Sequence, residues 1–485
     1  MNAPQRLLEW PKPASEEQQT GLWDAIALAR AVKGTANAGF AVSGVEIDSR
    51  DVQPGDLFFA LKGESTDGHR FIEMAMEKGA SAVVVDRDCD VPHIRVSDTT
   101  EALERLGAAA RERTRARIVG VTGSVGKTGV KEAIFAALDR SSRGRAHRSV
   151  KSYNNHVGVP LSLARMPARS RYGIFEMGMN HAGEIAALTR QVRPHVAVIT
   201  TIAPAHIEML GSEEAIADAK AEIFEGLEEG GTAIVPADSP HFERLRDAAL
   251  ECGAQVVSFG SADHAQVRLL DAIGGTHGGS LVTADMGDRR ICYTVAMPGA
   301  HWVANSLAVM ATVRAVGGDL GAAGLALGEM AGLAGRGERL EIAVRGGTAL
   351  LIDESYNANP ASMAATLEQL GRETATRRVA VLGAMKELGD HGPGYHAALA
   401  GPLRAAGVDR AILVGEEMAA LAGELGKPAL DALGKPIPFD HCETVAQAVD
   451  AVRSFGLESG DAVLVKGSNS VGLAKLVAVL AGKEG

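Results

Sequence analysis

Between Arg117 and Gly129 the chain reads Arg-Ile-Val-Gly-Val-Thr-Gly-Ser-Val-Gly-Lys-Thr-Gly, and these residue types in this order suit the binding of a nucleoside triphosphate, ATP or GTP. Ile118 to Val121 predict a short buried strand. Gly126-Lys127-Thr128 opens a helix on which Val130, Ile134 and Leu138 recur every four residues. In such a strand, turn and helix start, the backbone at Gly123, Ser124, Val125 and Gly126 and the helix dipole meet the phosphates. Lys127 can neutralise the terminal ones, and the Thr128 hydroxyl can hold Mg²⁺. The strict P-loop pattern wants glycine where Val121 stands; here glycines fall at 120, 123 and 126. A structural turn without a ligand is the plain alternative, and the Lys-Thr pair in this context argues against it.

Other polar residues cluster at the predicted ends of buried strands, where open α/β sheets place their ligands. Glu176 closes the run Gly-Ile-Phe-Glu and offers Mg²⁺ a hard oxygen ligand, unless it is a solvated turn residue. A strand predicted over 196–202 leads into a loop with His206 and Glu208; taken alone, such a histidine is more often structural than a ligand. A helix predicted over 213–227 aligns Ile216, Ala219, Ile223 and Leu227, with Lys220 bordering the stripe. That lysine either snorkels to water or, half-buried, has a depressed pKa and is open to modification; the residues leave both readings open. Asp353-Glu-Ser-Tyr356-Asn357-Ala-Asn359-Pro360 follows a predicted strand and ends in a helix-starting proline. Arg336 precedes it, either as a surface residue or as a hinge arginine that reaches phosphates when domains close. Lys466-Gly-Ser468-Asn469 reads as strand end, turn and helix start, suited to an anion.

The elements that must hold these residues alternate between strand and helix, the pattern of α/β units. Three domains fit the 485 residues: a small α/β block over 1–108, a central P-loop ATPase-type α/β block over 109–334, and a Rossmann-like α/β block over 335–485. In the first, a helix is predicted over 23–32 and strands over 56–61 and 80–85; the charged stretch 101–117 suggests a solvated linker helix. In the third, strands are predicted over 349–352, 379–382 and 411–414, with helices over 362–370 and 395–405. No Gly-x-Gly-x-x-Gly fingerprint opens that block, which argues against a dinucleotide. A net charge of −11 argues against a broad nucleic-acid footprint. Cys89, Cys252, Cys292 and Cys442 form no metal or redox spacing and read as reduced thiols. No apolar run reaches membrane-spanning length and the N-terminus has no apolar signal core, so a cytoplasmic protein not embedded in a membrane is expected.

Taken together, the strings Thr122–Thr128, Glu176-Met-Gly, His206, Ala-Lys220-Ala-Glu-Ile-Phe, His301 with Asn305, Arg336 and Lys466-Gly-Ser468 resemble the Mur ligase family, the ATP-dependent amide ligases of peptidoglycan precursor synthesis. Ser152-Tyr-Asn-Asn-His-Val-Gly-Val-Pro160, Glu176-Met-Gly-Met-Asn180, Asp353–Pro360, Asp48-Ser-Arg50 and Asp67-Gly-His69 resemble the family members that join D-alanyl-D-alanine to UDP-N-acetylmuramoyl-tripeptide. The resemblance implies ATP and two Mg²⁺ ions as cofactors. It implies Lys127 and Thr128 on phosphates and metal, Glu176 and His206 on metal, and Lys220 carbamylated (N-carboxylated) to hold a second Mg²⁺. Asn305 is then expected at adenine, Asp353 at ribose, and Arg336 reaching ATP from the third domain. Asn154, Asn155 and His156 would line the substrate channel, with Tyr356, Asn357, Lys466 and Ser468 also on substrate, and Ser49 and Arg50 facing the uridine diphosphate. A monomer is expected. Two departures stand out: Trp302 follows His301 where the family often has Asn, and Asn469 stands where Arg is usual. A sibling ligase, a folylpolyglutamate synthase, a P-loop kinase or NTPase switch, and a nucleotide-binding scaffold are the alternatives; the Tyr356-to-Pro360 string counts against the second.

Overall fold

The computed structural model describes residues 21–63, 66–205, 207–275, 278–427 and 436–483. The chain divides into two compact units, one of residues 1–115 with 160–169 and the other of 116–159 with 170–485.

In the first unit, strands Gly44–Glu46, Asp56–Phe59, Ala82–Val85 and His93–Arg95 form a parallel array, with Thr35–Ala36 antiparallel at one edge. Phe58, Val83 and Val85 point into a core with Val52 and Ala75. The expected first helix is shorter than 23–32: Asp24 caps the helix Ala25–Val32 by accepting the Ala27 N–H, while Trp23–Asp24 pairs with Ala41–Val42. The stretch expected as a solvated linker is instead a packed helix, Thr99–Arg113, which runs across position 108. Its Ala102, Leu103, Leu106 and Ala110 are buried, and Arg111 is buried as well, so the charged run is not a solvated face throughout.

Among the described residues, the second unit holds two large sheets. In the first, six parallel strands (146–148, 172–176, 117–122, 196–199, 232–236 and 255–260, in spatial order) continue through 267–274 into antiparallel strands 280–285 and 290–295. The strand Arg117–Thr122 is flanked by Tyr172–Glu176 and Val196–Ile199, both buried along their whole length as in a sheet covered on both faces. The helix Lys127–Ser142 follows it and packs Val130, Ile134 and Leu138 into the core against helix Ala300–Ala315. The second sheet has the order 338–344, 347–354, 462–466, 378–383, 410–414, 439–442, and only its first strand is antiparallel. The helix expected over 395–405 is two short helices, Gly392–Ala398 and Ala400–Ala405. The turns after the central strands of both sheets leave at their carboxyl ends, where open α/β sheets place ligands.

Candidate active site

Strand Arg117–Thr122 ends in Gly123, whose φ of +146° suits glycine, and a Cβ there would lie 2.0 Å from the Thr200 Oγ1. Gly126 (φ +86°) caps the next helix without a side-chain acceptor, so its first-turn N–H groups have no side-chain cap and suit phosphate oxygens. Lys127 folds back over the turn, its Nζ donating to the Gly123 carbonyl at 2.7 Å. Desolvation holds this ammonium below its ordinary 10.5, with Arg336 adding to the effect and Glu176 opposing it. Ser124 is tied to the neighbouring strand end: its N–H donates to the Thr201 carbonyl (2.8 Å) and its Oγ to that of Ala203 (2.9 Å).

Glu176 is buried at its strand end and both carboxylate oxygens are engaged. Oε2 accepts from Thr128 Oγ1 at 2.8 Å and Oε1 from Asn154 Nδ2 at 2.9 Å. A hydroxyl and a carboxylate meeting at the helix start make an oxygen set of the kind a hard divalent cation takes. His206, the expected partner, lies outside the described residues. The helix expected over 213–227 is α-helical over Glu213–Ala221 and tightens to a 3₁₀ turn over Glu222–Gly226. Lys220 does not snorkel: it is 1% exposed, lines the cleft, and burial pushes its pKa well below 10.5, the Lys127 charge adding to this.

These residues line one cleft of about 590 Å³ together with residues from the second sheet. Val125, Gly126 and Lys127 face it from the P-loop, Asn154 and Asn155 from the turn after strand 146–148, Glu176 from its strand end, and Asn305 and Trp302 from the helix Ala300–Ala315. Met297, Met330 and Leu333 add apolar wall. Arg336, Tyr356, Asn357, Lys466 and Ser468 come from the second sheet and the connection before it. Arg336 stacks over the Tyr356 ring at 4.1 Å and donates from Nη2 to Ser152 Oγ at 3.0 Å, so the hinge arginine spans the two sheets. Lys466 is buried, its Nζ 3.3 Å from Glu354 Oε2 and donating to the Asn357 carbonyl at 3.0 Å. Ser468 Oγ accepts the Lys386 N–H at 3.0 Å.

Not every expected residue reaches the cleft. Asp353, expected at ribose, is buried and uses both oxygens on backbone: Oδ2 accepts Gly335 N–H (2.8 Å) and Oδ1 Ser355 N–H (3.0 Å). It clamps the turn that carries Arg336 and does not line the cleft. His156 is exposed outside it, one residue past Asn155, whose Oδ1 accepts the Gly158 N–H. Gly123 and Thr128 lie beneath its surface. Ser49 and Arg50 belong to the other compact unit; Ser49 is buried beside Met74, and Arg50 pairs with Asp48 at 2.6 Å. The sequence reading passed over Lys131, a buried lysine on the same helix stripe as Ile134 and Leu138, although a lysine on an apolar stripe was the available signal. It also passed over the contact between Trp302 and Gly129: a Cβ on Gly129 would lie 2.8 Å from the indole Cη2.

A parallel sheet with a glycine turn and lysine at a helix start, facing an oxygen set and an arginine-bearing hinge, defines a P-loop nucleotide-binding α/β protein. Three family models match: the Mur ligase family catalytic domain over residues 41–140, the Mur ligase middle domain over 121–313, and the Mur ligase glutamate ligase domain over 335–469. A UDP-N-acetylmuramoyl-tripeptide–D-alanyl-D-alanine ligase from Synechocystis is 36% identical over 449 residues, 90% of this chain and 92% of that protein. The ligase of that name from Escherichia coli is 36% identical over 392 residues, 80% of this chain and 85% of that one. A crystal structure of MurF from Acinetobacter baumannii superposes with a TM-score of 0.79 at 28% identity, covering 95% of this chain and 99% of that one. The chain belongs to the Mur ligase family.

Proposed function

We propose that this chain is the ATP-dependent amide ligase that joins D-alanyl-D-alanine to UDP-N-acetylmuramoyl-tripeptide, giving ADP, phosphate and the pentapeptide for peptidoglycan synthesis. The observation that carries the reading is the single cleft in which P-loop Lys127, Glu176 and Lys220 face Arg336 and Lys466 from the second sheet. Relatives 36% identical over most of the chain are named for this reaction.

The chemistry suits such a cleft, because two polyanions, ATP and a peptide carboxylate, must meet. The carboxylate oxygen attacks the γ-phosphorus as the bond to ADP breaks, giving an acyl phosphate. The dipeptide amine then attacks the carbonyl carbon, and phosphate leaves from the tetrahedral intermediate. Lys127 and the first-turn N–H groups hold the phosphates, Asn305 and the apolar wall receive adenine, and Asn154 and Asn155 face the peptide. His156 stands as a further substrate contact, as do Tyr356, Asn357, Lys466 and Ser468; Ser49 and Arg50 take the uridine diphosphate. Arg336 bridging the sheets keeps the acyl phosphate from water.

Thr128 and Glu176 would hold Mg²⁺, with Lys220 as a carbamate and His206 as the further ligand expected from the sequence, and the ion would supply charge neutralisation to the phosphates. Lys220 suits that modification because a buried amine with no ion pair among the described residues favours the neutral, CO₂-reactive form; its nitrogen bonds to carbon as one proton leaves. We assign regions 1–108, 109–334 and 335–485 to uridine binding, ATP binding and closure, with the first boundary moved past the end of the helix Thr99–Arg113, and place the enzyme in the cytoplasm as a monomer. No helix among the described residues is long and apolar enough to cross a membrane.

The test incubates protein, ATP, Mg²⁺ and UDP-N-acetylmuramoyl-tripeptide with and without D-alanyl-D-alanine. Phosphate release that needs both substrates, with product heavier by one dipeptide less water, is expected. Release independent of the dipeptide would overturn the reading.

A further inference from the structure

The helix that starts at the P-loop carries a second lysine, Lys131, wholly buried and outside the cleft lining. An ammonium is retained in such a place only when its donors are satisfied and its charge is paired. Its Nζ donates to the carbonyls of Ser149 (2.9 Å) and Lys151 (3.0 Å) and pairs with Glu132 Oε1 at 3.0 Å. It also lies 4.0 Å from Glu176 Oε2.

Everything Lys131 holds leads back to the site. Ser149 Oγ accepts the Glu176 N–H at 3.1 Å, so one residue of this turn is bonded both to the lysine and to the strand end that presents Glu176. Lys151 has φ +53°, a left-handed conformation that side chains rarely adopt and that persists only where the surroundings impose it. Directly beyond that strained residue come Ser152, which receives Arg336, and Asn154, which bonds Glu176. Two independent observations, a buried cation and a strained backbone, thus meet at one turn.

We propose that Lys131 is a positioning residue that holds the 149–155 turn and Glu176 in register with the helix bearing Lys127 and Thr128. It couples the nucleotide half of the cleft to the side that faces the acceptor peptide. The identity of that peptide rests on the ligase reading above; the coupling of the turn to Glu176 does not. The ammonium cannot reach the cleft itself, so its effect passes through Glu176, Ser152 and Asn154.

The test compares the full chain with Lys131→Met, which keeps length and apolar bulk but removes the donors and charge. A second variant, Lys131→Gln, keeps an amide donor for the two carbonyls. Three quantities are measured: ADP affinity by calorimetry without divalent metal, Mn²⁺ affinity of the enzyme–ADP complex by electron paramagnetic resonance, and the KM for UDP-N-acetylmuramoyl-tripeptide. For Lys131→Met, ADP affinity is expected to stay within about threefold while Mn²⁺ affinity falls roughly tenfold or more and KM rises comparably, the range for residues that orient a metal ligand. Lys131→Gln falls between, and it carries the comparison if the methionine variant does not fold. Unchanged Mn²⁺ affinity and KM, or an ADP affinity that falls as far as the Mn²⁺ affinity, overturns the proposal. If the unaltered enzyme makes no amide product, the ligase reading fails while the ADP and Mn²⁺ measurements still decide the role of Lys131.

Discussion

Gly129 stands in the first turn of the P-loop helix, where alanine would ordinarily be preferred by up to about 1 kcal/mol because glycine has more backbone freedom to lose. Here the preference should reverse. A Cβ at 129 would meet Trp302 Cη2 at 2.8 Å and Cζ2 at 3.0 Å, and the indole is itself buried in the core, so it cannot swing aside freely. Overpacking of that kind costs about 1–3 kcal/mol. Set against the helix gain, Gly129→Ala should destabilise the helix by about 1 kcal/mol, within a range of ~0–2. Trp302→Ala alone should cost about 3–5 kcal/mol, as for other buried large aromatics. With the indole gone, Gly129→Ala should instead stabilise, so the sign of one substitution depends on the other residue. Amide hydrogen exchange across Lys127–Ser142 reads this locally, and 1 kcal/mol is about a fivefold change in protection. Protection that rises on Gly129→Ala in the presence of Trp302 would refute the packing argument.

Asp353→Ala orphans the buried Gly335 and Ser355 N–H groups, each at about 1–3 kcal/mol, and should loosen the turn bearing Arg336. We expect kcat to fall while the preference for ATP over 3′-deoxy-ATP stays as it was; loss of that preference would put Asp353 on the ribose instead. His396 Nε2 accepts the Met385 N–H at 2.9 Å while Nδ1 faces the Gly392 carbonyl at 2.7 Å, a pairing that suits the neutral ring. Burial holds its pKa below the ordinary 6.5, so below that pH the unfolded chain binds more protons and stability falls until the folded ring is also charged. The thermal midpoint should therefore fall less in His396→Gln than in the parent as pH drops through 6.5; parallel curves would contradict this.

The P-loop was legible because a strand, a glycine turn and a lysine at a helix start are local, and one stretch of thirteen residues contains them all. The alternation of strands and helices was legible for the same reason: period and turn residues act over short spans. What escaped depends on residues far apart in the chain. Lys220 borders an apolar stripe on its own helix, and only the walls of the cleft decide that it is buried rather than solvated. Asp353 was expected at the ribose from the family resemblance alone; one of its oxygens is taken by the turn at Gly335, eighteen positions earlier, and the other by Ser355. Trp302 read as a departure from a family pattern, whereas its meaning lies in the missing side chain at Gly129. The charged run after residue 101 shows the converse, since its charges concealed a buried row of alanines and leucines, with Arg111 buried as well.

In the proposed reaction ATP activates a carboxylate as an acyl phosphate. The most direct measurement supplies UDP-N-acetylmuramoyl-tripeptide labelled with ¹⁸O in its reacting carboxyl group, together with ATP, Mg²⁺ and D-alanyl-D-alanine, and determines the isotopic mass of the phosphate released. Transfer of one labelled oxygen to each phosphate is predicted, because the carboxylate oxygen that attacks phosphorus leaves with it. Phosphate free of the label, with its fourth oxygen from solvent, would mean that water attacks ATP, and would rule this mechanism out.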